Sequence, residues 1–225
     1  ARRGLLDLRA HDLEKGSLPL NGEWRVSSIR PDGVLETTNS RFVPVPGLFA
    51  EHFGTEEGSA DYSLGILLPQ HVKQVGLYLP VLHSASVLRV NGQAVIINGR
   101  TGNSQDAVRH HWQPHNIVLP VSNARIDLEI SVANFGYYKG GIPVAPVIGE
   151  PETILAHANT RLRYEAFLIG SLIIIGLYHI GLYLLRRRDI TPLFFAAFCL
   201  LIAARATVTG EYWICQLLPG ISWDL

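Results

Sequence analysis

The sequence predicts an all-β sandwich of jelly-roll type followed by a hairpin of transmembrane α-helices. Three observations predict it: alternating apolar and polar runs cut by Gly and Pro over residues 1–150, an apolar run from Ala166 to Leu185, and Arg186-Arg187-Arg188 directly after it. Short alternating runs are what half-buried strands look like in sequence. The apolar run is twenty residues long; as a helix it rises about 30 Å, the thickness of a bilayer's hydrocarbon core. The three arginines mark the cytoplasmic side, because Lys and Arg accumulate on that flank of a span. Everything before Ala166 is thereby placed outside.

The strands come in order. Trp24-Arg25-Val26 alternates, and Tyr62 to Ile66 alternates again before Pro69. Val75 to Leu79 and Val87 to Val90 follow, and Asn91-Gly92, a strong hairpin signal, turns the chain into Ala94 to Ile97. Ile117 to Leu119 and Ile126 to Val132 complete the set. No helical period persists among them, which favours a sandwich or jelly roll.

From Pro151 the pattern changes. Proline suits a helix's first turn, and Ile154, Ala158 and Leu162 recur at a spacing of four. Nothing interrupts the helix before Ala166, so residues 151–165 read as a connecting helix continuous with a first span at 166–185. A cytoplasmic loop at 186–191 leads to a second span at 192–209, and 210–225 begin an outer loop and a further segment. Pro192 to Ala204 alone is too short to cross comfortably. Extension to Val208 gives a plausible length and sets Arg205 towards the outer leaflet, where it can snorkel; the alternative is a re-entrant or buried helix in place of a full span. Gly210 and Trp213 fall near the outer interface on this reading.

Charge is balanced, with 19 Lys+Arg against 19 Asp+Glu, so no basic field exists to hold nucleic acid. Both cysteines, Cys199 and Cys215, lie in the membrane half, leaving the outer domain without a disulfide. The chain opens Ala-Arg-Arg, contains no methionine and stops in an apolar stretch. Both ends are therefore expected to be trimmed from a longer protein.

His110, His111, Trp112 and His115 form the densest polar and aromatic cluster, in a loop between predicted strands. An indole can stack on a sugar face while imidazoles hydrogen-bond hydroxyls; the alternative is a Trp112 that merely plugs one end of the sandwich. Tyr137 and Tyr138, inside Asn134 to Gly141, could line the same pocket or pack at its rim. Imidazoles also bind metals, but no ligand spacing supports that, and no metal or other cofactor is expected. GxSxG, HExxH and P-loop patterns do not occur, so no catalytic residue is named and no enzyme is expected within this chain. In the spans, His179 and Arg205 are the ionisable groups to watch.

Taken together, the pieces resemble the bacterial seven-transmembrane receptors with diverse intracellular signalling modules. The likeness rests on Leu20-Asn21-Gly22-Glu23-Trp24, Ala60 to Leu64, Val90-Asn91-Gly92, Val132 to Phe135, Lys139-Gly140-Gly141 and Val147-Ile148-Gly149. It continues through Gly176 to His179, Tyr183 to Asp189 and Thr209-Gly210-Glu211. The resemblance implies a galactose-binding-like outer domain, a bacterial inner-membrane, multi-pass location with residues 1–165 on the periplasmic side, and a cytoplasmic output module beyond this chain. The expected function is the sensory portion of a receptor, binding an extracytoplasmic ligand such as a carbohydrate. The alternative is a membrane-anchored carbohydrate-binding or adhesion module without output. Expected partners are the lipid bilayer, that small-molecule ligand and, as an open question, a second copy in a homodimer.

Overall fold

A computed structural model describes residues 1–13, 16–29, 41–102 and 105–209. Gly210 and Trp213, assigned to the outer interface from sequence, lie outside the described residues. The chain divides into two compact units, one over Ala1–Leu155 and one beginning at Ala156.

The first unit is a β-sandwich. Its large sheet runs β4 (Arg41–Val45), β3 (Gly22–Ile29), β6 (Gly58–Leu67), β11 (Arg125–Asn134), β8 (Ala85–Val90) and β9 (Gln93–Asn98). These neighbours are antiparallel. A short β1 (Leu5–Asp7) adds to β6 in parallel. The small sheet runs β10 (His115–Pro120), β7 (Gln74–Leu79), β13 (Val147–Gly149) and β2 (Leu18–Pro19). A two-strand ladder joins β5 (Gly47–Leu48) to β12 (Gly141–Ile142).

Alternation decides which face each side chain takes. Along β11, Ile126, Leu128, Ile130 and Val132 point inward and are buried, while Asp127, Glu129 and Ser131 face out. Tyr62, Leu64 and Ile66 of β6 do the same, and Leu77 and Leu79 of β7 meet them from the other sheet. Each such apolar side chain contributes roughly 1.5–3 kcal/mol on burial. Trp24 is fully buried, and its indole N–H donates to Leu20 O at 2.8 Å, so its one polar atom is satisfied. Asn91 and Gly92 both have positive φ, 50° and 82°, as a two-residue hairpin turn requires.

One helix appears where only strands were expected. α1 (Phe49–Phe53) is a single turn, opened by the Glu51 carboxylate accepting from Leu48 N–H and closed by Gly54 at φ 71°. It exists to bury Phe49, which stacks on Tyr62 at 6.5 Å between ring centroids.

The second long element, α2, runs unbroken over Pro151–Leu185, starting at the proline that sequence marked. Its first turn belongs to the sandwich: a Cβ at Gly76 would come within 2.8 Å of Ile154 Cγ1, so glycine there makes room for Ile154. Beyond it the helix has an apolar window of mean hydropathy 2.1, with only 6% of that window buried. A core helix would be hidden; this one presents Phe167, Ile174 and Tyr178 outward. It is long and apolar enough to cross a membrane.

Five residues then lead to α3 (Thr191–Thr207). At 17 residues α3 rises about 25 Å, a little short of a full core thickness. Ala196, Cys199 and Ala203 are its buried positions, and Gly176 of α2 sits against Leu200, where a Cβ would come within 2.9 Å of Leu200 Cγ. Small residues let the two backbones approach, as in helix pairs that lack a hydrophobic driving force.

Candidate functional site

The sandwich places the predicted site residues in two groups. Trp112, Tyr137 and Tyr138 come together. The Trp112 and Tyr137 rings lie 5.2 Å apart, and Tyr137 and Tyr138 4.7 Å apart. His83 completes the cluster, at 5.2 Å edge-on to Trp112 and 5.7 Å from Tyr137. Tyr138 is 58% exposed, with Lys139 Nζ 5.1 Å from its ring centroid. The result is a partly open aromatic wall with a cation at its rim.

The histidines do other work. His110 Nε2–H donates to Phe135 O at 3.1 Å, fastening the loop before β10 to the end of β11. His111 Nε2–H donates to Gln113 Oε1 at 3.2 Å. His115 opens β10 rather than sitting in the loop, and its Nε2–H reaches the buried Asn98 Oδ1 at 2.7 Å. These bonds settle the ring orientations and leave Nδ1 as the remaining nitrogen in each.

The segment Asn134 to Gly141 is held by a buried amide. Asn134 Nδ2 donates to Glu56 O at 2.8 Å and to Tyr137 O, while its Oδ1 accepts from Ser84 Oγ at 3.4 Å. Gly140 lies so close that a Cβ there would press on Asn134 Nδ2 at 2.7 Å. Glu57, which reads as a solvated loop acid in sequence, accepts from Gly136 N–H at 3.0 Å. These contacts fix Tyr137 and Tyr138 from below.

His83 is the residue the sequence did not single out. It occupies the turn before β8 at φ 54°, and its Nδ1 is shielded with no hydrogen-bond partner among the described residues. Burial holds its pKa below the ordinary histidine value, with Lys139 adding to the effect. A neutral imidazole beside two aromatic rings can give or take one hydrogen bond from a ligand hydroxyl. His115 is likewise held low, by burial first and by His111 second.

Among the described residues, no group of three or more His, Cys, Asp or Glu is placed to hold a metal ion. In the second unit, His179 Nδ1–H donates to Ile175 O at 2.9 Å and its ring lies 4.6 Å from Phe195 of α3. Arg205 stands in the last turn of α3, where its charge opposes the helix dipole. Arg186, Arg187 and Arg188 are exposed directly after α2.

A β-sandwich followed by a helix long and apolar enough to cross a bilayer defines the class as a membrane protein with a folded domain. Residues 161–225 match the family model described as 7TM diverse intracellular signalling. No curated protein sequence matches the chain.

Among solved structures, a GH2 β-galacturonidase from Eisenbergiella tayi aligns at TM-score 0.46 and 18% identity, over 60% of this chain and 24% of that one. A β-glucuronidase from Faecalibacterium prausnitzii aligns at TM-score 0.43 and 13% identity, over 61% and 32%. A β-D-mannosidase from Dictyoglomus thermophilum aligns at 0.42 and 11%, over 60% and 22%. The chain spans less than a third of each of these enzymes.

Proposed function

We propose that this chain is the sensory portion of a bacterial inner-membrane receptor. Its β-sandwich lies on the periplasmic side and takes a small ligand, a carbohydrate, at the wall formed by His83, Trp112, Tyr137 and Tyr138. The observation that carries this is the partly open aromatic cluster, with Tyr138 exposed and His83, Trp112 and Tyr137 half-buried beside it. Three aromatic rings and an imidazole held by Asn134 and His110 need no rearrangement to stack on the apolar face of a pyranose. Lys139 and the His83 nitrogen supply polar contacts at the edge.

The match over residues 161–225 supports the receptor part of the reading. On it, α2 and α3 are the first two spans, Arg186 to Arg188 face the cytoplasm, and an output module lies beyond the 225 residues. Ligand binding would act by biasing two arrangements of the helices.

Two experiments test this. The whole chain in lipid nanodiscs is titrated with a glycan panel while Trp fluorescence and melting temperature are followed. A saturable response lost in Trp112→Ala and in Tyr138→Ala is expected; no response to any glycan would sink the ligand claim. For topology, a cytoplasm-dependent reporter fused after Arg188 should be active, and one fused after Glu150 silent. The reverse pattern would invert the scheme.

A further inference from the structure

The outward face of the large sheet carries a second concavity, distinct from the aromatic wall. It is an open depression of about 490 Å³, within the size range of small-molecule sites. Strands β6, β8 and β11 floor it, and Thr101 and Gly102 form one side. Among the described residues its lining contains no aromatic ring, and Val132 is its largest apolar side chain. An apolar ligand would gain little there; a hydroxyl-rich one would find donors and acceptors.

The register sets the charges. Glu129 of β11 lies opposite Arg89 of β8, and Ser131 lies opposite Asp61 of β6. Arg89 Nη1 donates to Ser131 Oγ at 2.8 Å and to Glu129 Oε1 at 3.3 Å. The guanidinium is thus oriented, and its charge is answered by Glu129. Asp61 has no cation and no hydrogen-bond donor among the described residues, so the described lining, with Asp61, Glu129 and Arg89, keeps one uncompensated negative charge. Ser59 Oγ, also in the lining, is shielded from water and lacks a hydrogen-bond partner among the described residues. A shielded hydroxyl without a partner is a cost that a bound polar group would remove.

The geometry points to a second ligand site in this depression, for a polyhydroxylated amine of the amino-sugar class. The ammonium pairs with Asp61, and ring hydroxyls bond Ser59, Ser131 and the outer oxygen of Glu129. A neutral sugar would leave Asp61 unanswered. An acidic sugar would meet Asp61 as a like charge, while Arg89 is already engaged.

The test uses the whole chain in nanodiscs, in mildly acidic buffer where the amine is protonated. D-glucosamine, D-glucose and D-glucuronate are titrated by calorimetry. Glucosamine should bind about tenfold or more tighter than glucose, the scale of one charge-assisted hydrogen bond, and glucuronate should not bind here. Asp61→Asn should bring glucosamine down to glucose. Glu129→Gln, which releases Arg89, should weaken glucosamine and admit glucuronate. The same titrations in Trp112→Ala, which strips the aromatic wall of its own sugar contact, should keep the glucosamine-over-glucose preference, and adding Asp61→Asn to that variant should remove it, separating this site from the wall. Circular dichroism melts of each variant report the fold. Equal affinity for glucosamine and glucose, absence of saturable binding, indifference to Asp61→Asn, or loss of the glucosamine preference in Trp112→Ala would each overturn the proposal.

Discussion

The sandwich and the helical segment solve opposite solvent problems with the same apolar residue types. In the sandwich, Trp24, Tyr62, Leu77 and Ile130 are all but inaccessible, and the polar positions of the same strands face water. Beyond the first turn of α2, and in α3, the pattern turns over: Phe167, Ile174, Phe194 and Leu201 are each at least 69% exposed, and the buried positions are small, Ala158, Gly176, Ala196, Cys199 and Ala203. One unit is built for water and hides its hydrocarbon. The other is built for hydrocarbon and packs only where backbones must meet. Apolar content alone does not distinguish the two; which side chains are covered does.

The contrast is broken most forcefully at Trp24. Trp24→Ala should destabilise the sandwich by about 3–5 kcal/mol, because it leaves a cavity and an unpaired carbonyl at Leu20. Ile174→Ala, in bilayer, should leave melting nearly unchanged. Thermal unfolding of both variants in nanodiscs checks the pair, and equal losses would refute the proposed division of solvent.

A smaller effect is expected where the site is held. Asn134→Ala removes bonds to Glu56 O and Tyr137 O from a fully buried position, with a cost of about 1–3 kcal/mol. It should also loosen the tyrosines, which hydrogen exchange of residues 135–140 would register. Unchanged exchange would show that the segment is held by something else.

Comparable in size is Gly176→Leu in α2. The new side chain meets Leu200, and overpacking typically costs about 1–3 kcal/mol. Cross-linking between cysteines introduced on α2 and α3 should fall, while the sandwich melts as before. If the sandwich also weakened, the two units would not be separable.

The gentlest lever is pH. His52, His83 and His115 are all held below the ordinary histidine value, with burial the first cause in each. The unfolded chain therefore binds more protons than the folded one in this range, and stability rises with pH. The contribution is complete above the unfolded value near 6.5 and is lost as pH falls through the lower folded values. The sandwich's melting temperature should drop between about pH 7.5 and about pH 5. A flat profile would mean these rings are better hydrated than their surroundings suggest.

Much of this was legible in advance, for a physical reason. Each predicted strand, from Trp24-Arg25-Val26 to Ile126–Val132, sits inside an observed one, because a two-sided environment writes itself into alternate residues. β1, β2, β5, β12 and β13 are two or three residues long and cannot carry a period. The single turn at Phe49–Phe53 is invisible for the same reason.

At the site, Trp112 and the tyrosine pair were recognisable as local clusters. Their partner His83 was not, since only the sheet's long-range register brings it beside them. The same holds for Glu57, whose backbone partner at Gly136 lies across a loop, and for the Asp61–Ser131 pairing. Residues that act locally announce themselves in sequence. Those that act through topology do not.

The first turn of α2 has a consequence for recombination. The compact unit ends at Leu155, inside the helix and not in a linker, because Ile154 occupies the space that Gly76 leaves. A chimera cut at Glu150 would strip the sandwich of a piece of its own surface. A splice placed after Leu155 would keep that piece, so the boundary for exchange lies one helical turn past the sandwich's last strand.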